Sequence, residues 1–197
     1  VDQIRYFFMR EVPFGQDGSY SPESMVSRIN ADLANDFGNL AQRVLSMIHK
    51  NCGAELPQPG DLVAADEALL ALIGEQLGEI RRVMQDQAIH RMLEAIWQGV
   101  GEANRYVDEQ APWALRKSDP ARMRTVLYVL AEAIRNLAIM ALSVVPEGAG
   151  RMLDQLAVAP EARNFAALGQ GGALTPGSLL PKPEPVFPRH VEAEAES

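Results

Sequence analysis

Cysteine is nearly missing from this 197-residue chain: Cys52 stands alone. One thiol closes no intrachain disulfide and builds no metal cluster, so a disulfide framework is excluded and a reducing cytoplasm is the expected setting. The histidines, His49, His90 and His190, form no i,i+4 pair and have no cysteine partners, so a zinc site is not expected. Aromatics make up only 6% of a sequence that is 47% hydrophobic. A core made mainly of Leu, Ile, Val, Met and Ala suits packed helices. No apolar run is long enough to span a bilayer, and no basic-then-apolar leader is present.

Basic charge is also scarce, with 18 Lys and Arg against 26 Asp and Glu, a formal charge of −8. Phosphate contacts require cations, so this balance argues against a general nucleic-acid binder. It leaves room for a local reader. Glu184, Glu192, Glu194 and Glu196 place part of the acid in the tail, and unpaired bases are read by stacking and base-edge hydrogen bonds as well as by charge. Catalytic constellations are absent from the sequence. The glycine-rich stretch Gly169-Gln170-Gly171-Gly172 lacks the Lys-Ser/Thr end of a phosphate loop and reads as a linker. Cys52 has no activating base beside it.

What the chain has is helical periodicity. Asp2 can cap a short helix through Arg10 with Ile4, Phe7 and Phe8 on one side. Pro13, Gly15, Asp17 and Gly18 mark a connector. Ser21-Pro22 starts a long amphipathic helix to about Lys50, whose stripe is Ile29, Leu33, Phe37, Leu40, Val44 and Ile48. A second helix runs from about Ala64 to Met84 on Leu69, Leu70, Ile73, Leu77 and Ile80. A third carries Ile89, Leu93, Ile96, Val100 and Val107, until Pro112 disfavours helical geometry at Ala111. Asp119-Pro120 opens a fourth, with Val126, Val129, Leu130, Ile134, Leu137 and Leu142. Pro146 can start a fifth, with Met152, Leu153 and Leu156. Beyond Gln170 the composition turns to Gly and Pro, and such a segment is either disordered or laid along another surface. The expected fold is all-α, an antiparallel bundle of about five helices with short connections.

Two features bear on binding. Asn39 and Arg43 lie one turn apart on the long helix, flanking its apolar stripe. An amide that donates and accepts, beside a planar guanidinium fork, is suited to reading a base edge. The same pair would also serve as an ordinary solvated helix face. In residues 104–113, NRYVDEQAPW, a proline breaks the helix and Trp113 is presented at the break, off the core spacing. An indole on a rigid corner can stack an unpaired base, and it can equally cap the end of the core. Trp97, spaced with Leu93 and Val100, reads as core.

The stretch NRYVDEQAPW resembles the signature of the anticodon-binding helical domain of methionyl-tRNA synthetases. Three further segments resemble that family in the same order: residues 4–16 (IRYFFMREVPFGQ) its stem-contact region, residues 30–43 (NADLANDFGNLAQR) its first anticodon-domain helix, and residues 182–189 (KPEPVFPR) its closing segment. The resemblance implies a stem-contact segment over residues 1–20, an anticodon-binding bundle over 21–168 and a tail over 169–197. It implies that Trp113, preceded by Pro112, stacks the first base of a CAU anticodon, and that Asn39 and Arg43 hydrogen-bond anticodon bases. The His-Ile-Gly-His and Lys-Met-Ser-Lys-Ser segments of the family are absent, as is its metal knuckle. The chain is therefore expected to hold no cofactor and to catalyse nothing itself, with ATP and zinc belonging to a catalytic part of the same protein.

The abrupt aromatic start at Val1 reads as a cut from a longer chain rather than a processed leader, and an ending at Ser197 without an additional RNA-binding domain implies a monomeric parent. Residues 4–9 and Val186-Phe187, which meet the catalytic domain in the family, are expected to be mobile, misplaced, or engaged in crystal or oligomer contacts without it. The competing expectation is a helical protein-interaction module with no RNA role, whose aromatic start and proline-rich tail dock on a protein.

Overall fold

The structure is a computed structural model that describes residues 1–190; the acidic tip with Glu192, Glu194 and Glu196 lies outside the described residues. Eight α-helices are seen among them: α1 (Asp2–Glu11), α2 (Pro22–Arg28), α3 (Asn39–Asn51), α4 (Ala64–Gln85), α5 (Ile89–Gln110), α6 (Pro112–Ser118), α7 (Pro120–Ala141) and α8 (Pro146–Gln155). The described residues contain no strand, only one isolated bridge between Glu55 and Leu179. None of these helices is long and apolar enough to cross a membrane.

Start signals in the sequence act as helix caps. Ser21 Oγ accepts from the Ser24 amide ahead of α2, and Asp119 Oδ1 from the Arg122 amide ahead of α7, each followed by proline in the first turn. The apolar stripe Ile29, Leu33, Phe37, Leu40, Val44 and Ile48 is buried throughout. The long helix is nevertheless not α-helical along its length. Ile29–Gly38 is a π-helix joining α2 to α3, and the Asn39 amide reaches back five residues to the Ala34 carbonyl. Its buried Asp32 accepts from the Tyr6 hydroxyl at 2.7 Å, while the Asp32 carbonyl accepts from Trp97 Nε1 at 3.1 Å. Tyr6 and Phe37 flank the Trp97 ring, with centroids at 4.6 and 6.0 Å.

Helix α7 is the axis of the bundle. It packs on α3, α4, α5, α6 and α8, and every residue from Val129 to Ala141 is buried. A helix buried on all sides must satisfy its polar groups internally. Arg135, 1% exposed, bonds Glu132 Oε2 at 2.8 Å and the carbonyls of Ala167 and Gly169 at 2.6 and 2.8 Å. Asn136 Oδ1 accepts from the Gly169 amide at 2.8 Å, and Glu132 Oε1 from the Leu174 amide. The glycine-rich stretch is thus strapped along α7, the laid-down alternative of the two its composition allows.

Both ends depart from expectation, because each is packed on the bundle. Tyr6 and Phe7 are buried, and the Asp2 carboxylate accepts from the Gly148 amide at the start of α8 at 2.7 Å. Glu184 and Gln155 exchange hydrogen bonds of 3.0 and 2.8 Å, the Val186 carbonyl accepts from Arg151, and Phe187 lies over Gly148. The reason is local. Apolar side chains that would otherwise meet water find surface on the bundle itself, and each end brings a polar group that completes an open helix end or side chain. The outer side of α1 remains exposed at Ile4 and Phe8.

A Cβ on Gly148 would fall 2.2 Å from the Phe187 ring. Gly148→Ala is therefore predicted to displace the tail and to destabilise by about 1–3 kcal/mol. Urea unfolding checks this as a lower midpoint, whereas Gly150→Ala, with open space at its Cβ, should show no comparable loss.

Candidate nucleic-acid interface

Arg43 leaves α3 and lies across α5. Its Nη2 donates to Asn104 Oδ1 at 3.0 Å and its Nη1 to Asp108 Oδ1 at 3.1 Å. Asn104 and Asp108 are one turn apart, so the guanidinium spans two successive rungs of one helix face. Asn104 is fixed in turn, donating to the Val100 carbonyl at 3.1 Å and the Asp36 carbonyl at 3.3 Å. With side-chain exposures of 41% and 65% for Arg43 and Asp108, this pair contributes little to stability. It sets direction. Of the five guanidinium N–H groups, those not spent on the two acceptors remain available. Asn39, one turn earlier on α3, is exposed and makes no side-chain hydrogen bond among the described residues.

Asp108 stands three residues before Ala111, roughly 4.5 Å along the helix axis. There the backbone turns. Ala111 has φ +43° and ψ +57°, the left-handed region; proline at 112 disfavours continuation of the right-handed helix through it. The turn separates α5 from α6, a seven-residue helix too short to leave a periodic signal in the sequence. Pro112 is buried at its first position, and Trp113 follows, 50% exposed. No ring packs against Trp113 among the described residues, in contrast to Trp97 inside its aromatic cluster. Arg116 and Lys117, both exposed, close the helix and enter no ion pair among the described residues.

Behind the corner lies a buried polar network that sequence reasoning missed. Asp66, 0% exposed near the start of α4, is gripped by both terminal nitrogens of Arg122 at 2.5 and 2.6 Å and accepts from the Tyr106 hydroxyl. It also accepts from the Val63 amide at 3.1 Å. Burial pushes the Asp66 carboxyl up, but the hydrogen bonds from Arg122 and Tyr106 outweigh it and hold the group below its ordinary value. Burial and the bond to Asp66 raise the Tyr106 phenol, which stays a proton donor. A first-turn arginine of α7 and a first-turn aspartate of α4, 56 residues apart, give no linear signal of their pairing.

The four sequence-predicted positions thus fall on two adjoining elements: Asn39 and Arg43 on α3, held against α5, and Pro112 and Trp113 just past the end of α5. Comparison with known proteins bears on what this rim belongs to. Residues 56–197 match the family described as the anticodon binding domain of methionyl tRNA ligase, and residues 1–45 match class I tRNA synthetases of the methionine type. The chain belongs to the methionyl-tRNA ligase family.

A methionine–tRNA ligase of Brucella suis is 56% identical over 197 residues, which is all of this chain and 38% of that protein. One from Mycobacterium tuberculosis is 54% identical over 194 residues, 96% of this chain and 37% of its own length. The crystal structure of the free M. tuberculosis methionyl-tRNA synthetase superposes with a TM-score of 0.94 at 53% identity, covering 98% of this chain and 39% of that one. The same enzyme in complex with methionyl-adenylate gives 0.91 at 54% identity, over 95% and 37% of the two chains. The chain therefore spans a little over a third of the length of these relatives. Asn39 and Arg43 fall within the synthetase match and Pro112 and Trp113 within the anticodon-domain match; Arg43 is bonded to Asn104 and Asp108 on α5, the helix that Pro112 and Trp113 follow.

Arg122→Met leaves the Asp66 carboxylate buried without its cation, which is predicted to destabilise by about 3–5 kcal/mol. The pH dependence carries a sign. In the wild type the depressed Asp66 contributes fully above its unfolded value of about 3.9 and loses its contribution as pH falls through its lower folded value. In the variant, burial acts without Arg122 and raises the carboxyl, so protonation favours its folded form. The stability deficit relative to wild type should therefore be largest near neutral pH and shrink as pH falls below about 4, measured by urea unfolding across that range.

Proposed function

We propose that the rim of Asn39, Arg43, Pro112 and Trp113 reads the CAU anticodon of methionine tRNA. In this reading the Trp113 indole stacks the first anticodon base, cytosine, while Asn39 and the free donors of Arg43 hydrogen-bond anticodon base edges. The observation that carries it is the Ala111–Pro112 corner. It presents an indole half exposed and unstacked, just past the end of the helix whose Asn104 and Asp108 aim the Arg43 guanidinium. Arg116 and Lys117 supply positive charge beside the indole in a protein that is otherwise acidic.

The protein to which the chain contributes is proposed to be a cytoplasmic, ATP-dependent methionine–tRNA ligase. Supporting this are the names of the relatives, the lone cysteine, and the absence of the family's ATP-binding motifs from these residues, which puts the chemistry elsewhere in the protein. The exposed side of α1, where Ile4 and Phe8 are open and Tyr20 stacks on Phe8 with ring centroids at 6.1 Å, suits a contact with that catalytic part. The rival reading, a protein-interaction module without an RNA role, would engage this aromatic side and leave Trp113 idle.

Titration with RNA hairpins tests the choice. A hairpin with a CAU anticodon should bind better than one whose first anticodon base is changed, and Trp113→Ala should remove a preference of about tenfold, within the range for one base–aromatic stack. Binding should weaken steeply with added salt, as phosphate contacts require. Equal binding of both hairpins, or insensitivity to salt, would favour the interaction module.

A further inference from the structure

Gln110 is the last residue of α5, one step before left-handed Ala111 and two before Pro112. Its side-chain oxygen accepts from Arg122 Nη2 at 2.7 Å. Arg122 is held by the fully buried Asp66. A buried carboxylate on α4 is thereby linked, through one guanidinium, to the side chain that immediately precedes the Trp113 corner.

The corner is also held by the buried Pro112 and by the packing of α6, through Leu115, on the core beside α7. The backbone bonds across it are local: the Ala111 amide to the Val107 carbonyl at 3.0 Å, and the Ala114 amide to the Ala111 carbonyl at 2.8 Å. An alanine in the left-handed region is uphill, so the bend is not maintained by its own conformational preference. At the far side, Asp119 closes α6 by donating its amide to Leu115 at 2.8 Å and opens α7 by accepting from the Arg122 amide at 2.9 Å. Trp113 therefore rides on an excursion whose ends, Gln110 and Arg122, lie twelve residues apart and are joined by their side chains.

We propose that Gln110 and Arg122 are positioning residues for Trp113. They fix the direction in which α6 leaves α5, hence the plane of the indole, and so set the preference for the first anticodon base rather than the overall strength of RNA binding. This rests on the reading of Trp113 as the stacking residue. Gln110 separates the role from simple stability, because replacing it removes one bond to Arg122 and leaves the Asp66–Arg122 pair in place.

The test uses the 197-residue chain as wild type, Gln110→Leu, Gln110→Glu, Trp113→Ala and the double variant Gln110→Leu/Trp113→Ala. Each is titrated at fixed salt with a CAU-loop hairpin and a GAU-loop hairpin, and its thermal midpoint is recorded. Gln110→Leu should lower the CAU-over-GAU ratio by about three- to tenfold, the scale of one hydrogen bond, with a thermal midpoint close to wild type. Gln110→Glu keeps an acceptor for Arg122 and should retain the ratio. In the Trp113→Ala background Gln110→Leu should change nothing further, the non-additivity of residues that act through one another.

A wild-type ratio in Gln110→Leu overturns the proposal, as does failure of Gln110→Glu to retain it, or a Gln110→Leu effect that persists undiminished without Trp113. Failure of the underlying reading looks different: wild type then shows no preference, or Trp113→Ala keeps it, and both proposals fall together.

Discussion

Helix α7 has no solvent face from Val129 to Ala141, and the rest of the molecule is organised by that constraint. Water cannot satisfy its polar groups there, so Glu132, Arg135 and Asn136 must find partners in the protein, and they find them in the backbone around residues 167–174. The same helix carries Arg122 in its first turn, and its guanidinium ties α4 and α5 together at Asp66 and Gln110. Holding the tail and holding the α5–α6 corner are thus two consequences of one buried helix. The tail segment then returns to α8 and the π-helix, where Asn30 and His190 exchange hydrogen bonds of 2.9 and 2.8 Å.

The rim inherits rigidity from this arrangement without being buried itself. Arg43 is aimed by two acceptors one turn apart on α5, and Trp113 is aimed by a left-handed corner behind which a buried carboxylate is fully bonded. Such a division suits recognition of unpaired bases: the carriers lose their freedom when the chain folds, so less is left to lose on binding. It also reconciles base reading with a charge of −8, since stacking and directional hydrogen bonds do not depend on a basic surface.

Much of the fold was legible in the linear sequence. Ser21-Pro22 and Asp119-Pro120 announce helices that begin where those residues cap them, and the apolar stripe along residues 29–48 is the buried one. The π-helix was not legible, because spacings of three and four suit a wide helix as well as an α-helix, and what separates them is the hydrogen-bond register. α6 escaped because seven residues carry no period. The ends were misjudged for a different reason: motif resemblance indicates what a segment meets in a whole protein, not the surface it finds on its own bundle. Within the site, Asn39, Arg43, Pro112 and Trp113 were named from the motif, but their holders were not. Asn104 and Asp108 lie in the same motif on one helix face, yet their partner is 61 and 65 residues away, and Asp66 looks in sequence like an ordinary acidic first-turn residue.

The central claim is that the half-exposed indole of Trp113 is where the first anticodon base lands, and indole fluorescence reports this directly. Trp97 is packed between Tyr6 and Phe37 and donates its Nε1 to a carbonyl, so a change on RNA addition reports from Trp113. A CAU-loop hairpin should quench the emission, while the same hairpin with an abasic site in place of its first anticodon base should bind without quenching. Equal quenching by both hairpins, or binding of the intact hairpin with no change in emission, would contradict the account.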